Sequence, residues 1–214
     1  MSGLKAANGP SKRLLTVGSV LQLARADDVV WGTGINGRDL VKKLPPSVDI
    51  RALRGPLTRN FLTSQGILAP AIYGDPALLM STLWPRNKSF DRYAKSSVTC
   101  IPHMMENRRD IPTRLHLSPR APLWRVVKTI AGSKLVVSSS LHGVIVAESY
   151  GVPARLVASQ NEPDTKYRDY YEGTGRPGFR VAPDFLTGIR WGGEPLQEWN
   201  PQPLLDAFPM DLWS

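Results

Sequence analysis

Four side chains able to move a proton or grip an anion stand out: Arg54, Asp75 and His142, where apolar runs break off, and Lys166, in a charged stretch. His142 has the fullest setting. It follows the apolar run Leu135-Val136-Val137 and the serines Ser138, Ser139 and Ser140, and it precedes residues 144–150, which Gly151 and Pro153 terminate. The run reads as a buried strand and the later segment as a buried helix. A histidine at such a junction can titrate near neutrality and hand over a proton. Small hydroxyls and the free backbone N–H groups of the first helical turn suit a phosphate or carboxylate. The same residues also fit a serine N-cap with the imidazole filling a gap.

The other three have similar double readings. Arg54 follows the strand-like residues 48–53 and precedes Pro56, a good first residue for a helix ending at Gly66. Its guanidinium could take a carboxylate or phosphate bidentately, or tie two loops to a buried carboxylate. Asp75, between Gly74 and Pro76, could bind a substrate hydroxyl or cap the helix that Pro76 begins, and local residue types favour the cap. Lys166 lies in a charged, aromatic stretch, residues 161–171, ahead of a glycine-rich loop, residues 173–178. That loop could close over the edge at residues 138–142, or the stretch could be a solvated surface helix. Two weaker candidates are His103, at the end of residues 97–101, and the turn Gly32-Thr33-Gly34 after a short strand. Glycines there let backbone approach a ligand or simply make a tight turn, and their spacing is not that of a dinucleotide site.

Elements that would position these residues alternate along the chain. Strands are expected at residues 28–31, 48–53, 71–73, 97–101, 115–117, 134–137 and 152–157. Helices are expected at 14–24, 56–66, 76–80, 122–131 and 144–150. This predicts an α/β fold in which ligands meet the strand ends. The division expected is residues 1–92, 93–190, and a proline- and tryptophan-rich tail at 191–214 that packs across both. Residues 1–13 read as a mobile arm, and 81–97 as a linker.

The 214 residues hold 27 Lys+Arg against 18 Asp+Glu, a formal charge of +9, which favours anionic partners. The cations are spread thinly, without an arginine-rich arm or an aromatic RNA-binding motif, which argues against nucleic acid. One cysteine, Cys100, allows no internal disulfide and points to a reducing compartment. The three histidines are scattered, without metal-ligand spacing. No apolar run reaches membrane length and no signal peptide is visible, so a cytoplasmic location is expected.

Five segments in order resemble the polysaccharide pyruvyl transferase family, in its bacterial succinoglycan- and xanthan-type branch. They are residues 30–34, 51–58, 74–79, 139–153 and 166–171. The resemblance implies two Rossmann-like halves facing a cleft, similar to GT-B glycosyltransferases. It implies transfer of pyruvate from phosphoenolpyruvate to two hydroxyls of one sugar, as a ketal, without a metal or resident cofactor. The acceptor would be a lipid-linked oligosaccharide, and the enzyme would work at the cytoplasmic face of the inner membrane. His142 matches the family's catalytic histidine. Arg54 and Lys166 match its donor-binding cations, joined by Ser139, Ser140 and Gly143. Asp75, Gly32, Thr33 and Gly34 would face the acceptor.

Two departures accompany the resemblance. Many members carry Arg where this chain has Ser140, so one donor contact is missing or is supplied elsewhere, with Arg168 and Arg176 the candidates. Nothing before Leu14 matches the family's first Asn-x-Gly-Asp turn, which implies a truncated N-terminal half. A nucleotide-sugar glycosyltransferase, with Glu162 as a poor ribose-binding candidate, and a non-catalytic sugar-binding remnant are the competing expectations.

Overall fold

Two sets of short aliphatic runs build two parallel three-stranded sheets. The computed structural model describes residues 12–38, 43–93, 97–196 and 198–213. The first sheet orders β1 (Leu14–Leu15), β2 (Val29–Trp31) and β3 (Asp49–Ala52) side by side, with Leu14 opposite Val29 and Val29 opposite Asp49. Tyr73 adds a parallel bridge to Leu53. The second sheet orders β4 (Val98–Ile101), β5 (Leu135–Ser138) and β6 (Ala154–Leu156). Parallel neighbours need crossover connections. In the second sheet these are α4 (Leu123–Ala131) and α5 (Leu141–Ser149). Earlier in the chain come α1 (Pro56–Ser64), a 3₁₀ turn at Pro76–Leu79, α2 (Met80–Leu83) and α3 (Lys88–Asp91). Later come α6 (Thr165–Gly173), α7 (Phe185–Trp191) and α8 (Gln202–Asp206).

The helix expected at residues 14–24 is corrected. Leu14 and Leu15 form β1, and only Leu21–Leu23 makes a 3₁₀ turn. Gly18 sits at φ +110°, a left-handed conformation that interrupts a helix. The arm expected at residues 1–13 lies outside the described residues up to 11. Its last residue, Arg13, is not mobile but is ion-paired to buried Asp28. Around the expected strand at 115–117, Thr113–Leu115 is a 3₁₀ turn and His116 makes a single bridge to Cys100. The expected linker at 81–97 contains α3 and the end of α2.

Helix α5 is apolar on nearly every side. Leu141, Gly143, Val144, Ile145, Val146 and Ala147 are all buried, because β5 and β6 cover one face and the Pro76–Leu79 turn covers another. A helix hydrophobic all round belongs in a core. Its last buried residue, Glu148, is ion-paired with Arg176 and accepts from the Tyr170 hydroxyl. Helix α6 is likewise buried rather than solvated, with Lys166, Tyr167, Asp169, Tyr170 and Tyr171 inside.

Helix α6 joins the two sheets. Asp169 accepts from Arg54 Nε at 3.0 Å, from the Thr58 amide at 2.9 Å and from the Thr58 hydroxyl at 2.6 Å. The tail crosses both regions. The Trp31 indole donates to the Leu204 carbonyl at 2.8 Å, and Glu194 pairs with Arg155 of β6 at 2.5 Å.

Candidate functional site

The strand-to-helix junction at residues 138–142 opens on a cavity of about 310 Å³. Ser19, His103, Met104, Pro119, Ser140, Leu141, His142 and Lys166 line it. The three serines divide the work. Ser138 Oγ donates to the Ile101 carbonyl at 2.8 Å and shapes the turn. Ser139 Oγ donates to Glu106 Oε2 at 2.6 Å and accepts the His103 amide at 2.9 Å. Ser140 is the N-cap residue of α5, but its side chain makes no capping bond and faces the cavity. Among the described residues, no carbonyl or side chain accepts from the amides of Leu141 and His142, the unsatisfied donors expected at a helix start.

His142 is 40% exposed at its side chain, yet its Nε2 is buried and points inward to Asp75 Oδ2 at 3.6 Å. Asp75 is fully buried. Its Oδ1 accepts the Ala77 amide at 3.0 Å, so the cap expected from sequence forms. Its other oxygen has no hydrogen-bond partner. Asp75 therefore faces the histidine, not an acceptor in solvent, which corrects its expected placement.

Lys166 is nearly buried on the cavity wall, with Nζ 3.0 Å from Glu162 Oε2. Burial holds its ammonium below the usual lysine range, and the charges of Arg54 and Arg38 act the same way, opposed by Glu162. Glu162 also lies 3.3 Å from Arg38 and 3.8 Å from His103 Nε2. Three basic side chains thus share one carboxylate, and Glu162 is not open to a ribose. His103 is held below its ordinary value by burial first and by Lys166 next, so it favours the neutral ring. Burial pushes Glu106 up, but the hydroxyls of Ser139 and Ser159, the Gln160 amide and Arg108 outweigh it and hold the carboxyl low. Cys100 is buried on β4, and burial pushes its thiol up to about 12.

Several expected ligand contacts are corrected by this geometry. Arg54 is fully buried and takes the loop-tying role. It pairs with Asp169 at 2.9 Å and donates to the Ile35 carbonyl at 2.6 Å and to Ser19 Oγ at 2.7 Å. It reaches the cavity only through Ser19. Ser139 is fully buried and engaged by Glu106. The Gly143 amide donates to the Ser140 carbonyl at 3.0 Å and is not free for a ligand. The turn Gly32-Thr33-Gly34 is packing, not a cradle. A Cβ at Gly32 would meet Pro76 Cδ at 2.3 Å, one at Gly34 would meet the Arg54 guanidinium at 2.6 Å, and Thr33 Oγ1 donates to Gly18. The loop at residues 173–178 does not cover the cavity, because Arg176 is anchored on Glu148 and Thr174. Arg168 pairs with Glu172 and does not line it. Sequence reasoning missed Glu106 and Ser19, which carry no motif of their own. It also missed Asp169 as the partner of Arg54, although Asp169 stands in a segment that carried the resemblance.

A family model described as Polysaccharide pyruvyl transferase matches residues 6–161. The chain belongs to this family. The match takes in Asp75, His103 and His142, and Lys166 lies beyond its end. The family chain is also similar to the succinoglycan biosynthesis protein ExoV of Rhizobium meliloti (strain 1021). They are 28% identical over 215 aligned residues, covering 91% of this chain and 66% of that protein, just under two thirds of its length. No solved structure gives a significant match. Among the described residues no helix is long and apolar enough to cross a membrane.

Proposed function

We propose that this protein transfers pyruvate from phosphoenolpyruvate to two hydroxyls of one sugar in an exopolysaccharide repeat unit, forming a ketal and releasing phosphate. One observation carries the reading beyond the family. An imidazole, a nearly buried ammonium, a free hydroxyl and two unsatisfied helix amides line the same cavity of about 310 Å³. The volume suits a three-carbon phosphorylated acid, and the groups suit its two anionic ends.

His142 gives a proton to C3 of the donor. The C2–C3 π pair forms the new C–H bond and leaves C2 electron-poor. A sugar hydroxyl then attacks C2, and the neutral imidazole takes its proton. Phosphate departs with the electrons of its C2–O bond, toward Lys166 and the amides of Leu141 and His142. The second hydroxyl closes the ring, and its proton leaves with the phosphate. One donor and one diol give one ketal and one inorganic phosphate. The scheme uses no resident cofactor. In this reading the two sheets belong to facing Rossmann-like, GT-B-like halves.

The proposed acceptor is a lipid-linked oligosaccharide, and the proposed place is the cytoplasmic face of the inner membrane. Exposed Leu83, Trp84 and Trp124 support that setting, with Lys128 lining the same groove. No Asp or Glu occurs from Ile111 to Ala147, so this part of the chain suits an anionic lipid surface.

The test is phosphate release from phosphoenolpyruvate with a galactosyl or mannosyl lipid-linked acceptor, alongside calorimetry of donor binding. Release that depends on the acceptor supports the proposal. Binding of a nucleoside diphosphate in place of phosphoenolpyruvate would overturn it.

A further inference from the structure

Among the described residues, two buried side-chain atoms lack a hydrogen-bond partner, Asp75 Oδ2 and His142 Nε2, and they face each other at 3.6 Å. A buried carboxylate oxygen with no donor is costly, and folds keep one mainly where it has work to do. Capping does not explain it. Oδ1 alone satisfies the Ala77 amide, and a serine or asparagine would cap as well. The gap exceeds an ordinary N–H···O bond by about 0.7 Å, and bonds at reactive sites often tighten only when substrate is bound.

The partners come from different sheets. Asp75 is set by the Gly74–Pro76 turn, which packs on Gly32 at the end of β2. His142 is set by β5 and the first turn of α5. The other polar groups on the cavity wall are Lys166 from α6, His103 from the segment after β4, Ser140, and Ser19 from the segment after β1. Glu162, the other nearby carboxylate, is engaged by Lys166 and Arg38. Asp75 is thus the carboxylate aimed at the ring.

We propose that Asp75 is the positioning residue of His142: its Oδ2 accepts Nε2–H, fixes that tautomer, and leaves Nδ1 as the nitrogen that meets substrate. The role of Nδ1 rests on the pyruvyl-transfer reading, whereas the pairing does not. In the reaction the ring acts as an imidazolium: Nδ1–H gives its proton to C3, the neutral Nε2–H ring left behind takes the proton of the attacking hydroxyl at Nδ1, and Nε2–H stays on Asp75 throughout. The acid is complete only where a turn of the first sheet docks on a helix of the second.

The pairing is tested in donor-free protein labelled with ¹⁵N-histidine. Long-range ¹H–¹⁵N correlation reports the tautomer of each ring, and His142→Gln identifies its signals among the three histidines. Wild type is expected to show Nε2–H at His142. Asp75→Asn keeps the cap but presents an amide donor to Nε2, so the tautomer should invert to Nδ1–H. Asp75→Ser keeps a cap and removes the reach, so the ring should show a mixture. A wild-type Nδ1–H ring, or one that neither variant changes, would overturn the proposal, and the wild-type reading needs neither Asp75 variant to fold.

With donor and acceptor, Asp75→Asn should lower kcat by about 10²-fold or more at unchanged donor KM. Adding His142→Gln should cost little further, as for groups that act as a unit. An inverted tautomer in a protein that never consumes phosphoenolpyruvate would uphold the pairing and reject the reaction.

Discussion

Asp169 and Asp75 are both fully buried carboxylates, and the fold treats them in opposite ways. Asp169 is met by the Arg54 guanidinium, the Thr58 amide and the Thr58 hydroxyl, all within 3.0 Å. Asp75 is met by one amide, with an imidazole just out of range. A buried ion pair whose lone pairs are filled is structural, and it mainly fixes how its elements dock. A buried carboxylate with an open oxygen is unfinished until something moves or binds. In this chain the same residue type serves as weld at one point and as poised partner at another.

Four experiments would break or sharpen that contrast. The largest effect is expected at His142, on the poised side. His142→Gln should cut turnover by about 10²–10⁴-fold. Donor binding by calorimetry and the urea midpoint should stay near wild type. Turnover within a few-fold of wild type would remove the ring from the chemistry.

On the welded side, Arg54→Ala leaves Asp169 buried without its cation and should cost about 3–5 kcal/mol of stability by urea unfolding. A loss below about 1 kcal/mol would show that Asp169 is not held as described.

Lys166→Ala should weaken phosphoenolpyruvate binding by about tenfold or more, the scale of one charge-assisted hydrogen bond, with kcat less affected. Unchanged affinity would take Lys166 off the donor.

The smallest effect concerns Glu106, a third carboxylate that resembles Asp169 in being fully engaged. Its folded value lies below the ordinary 4.5. Its contribution is therefore complete above about 4.5 and fades as pH falls through the lower folded value. Glu106→Gln should flatten the stability profile in that acid window and leave the slope near neutrality alone, as followed by urea midpoints against pH. An unchanged acid limb would contradict the assigned hydrogen bonds.

Much of the second sheet was legible in the chain. Aliphatic runs ending in small polar residues, then a helix stopped by Gly151 and Pro153, gave β5, α5 and β6 nearly as they stand. The first sheet was harder to read. Leu14 and Leu15 are too short a run to display a period, and β1 exists because β2 offers it an edge. Of the expected site residues, His142, Ser140 and Lys166 do line one cavity, where residue type and place in the chain agreed. Arg54 was misplaced because an arginine that grips a ligand and one that grips Asp169 look alike until the partner, 115 residues on, is known. Asp75 was seen as a cap, which it is. Its second oxygen became informative only once the two sheets stood together.

Helix α6 bears Lys166 and, three residues later, Asp169, so the two project from neighbouring positions one turn apart. One end of that turn grips the first sheet while the other holds a positive charge at the rim of the chamber. A single turn of helix is therefore both a fastening between the sheets, through Asp169, and a part of the chamber wall, through Lys166.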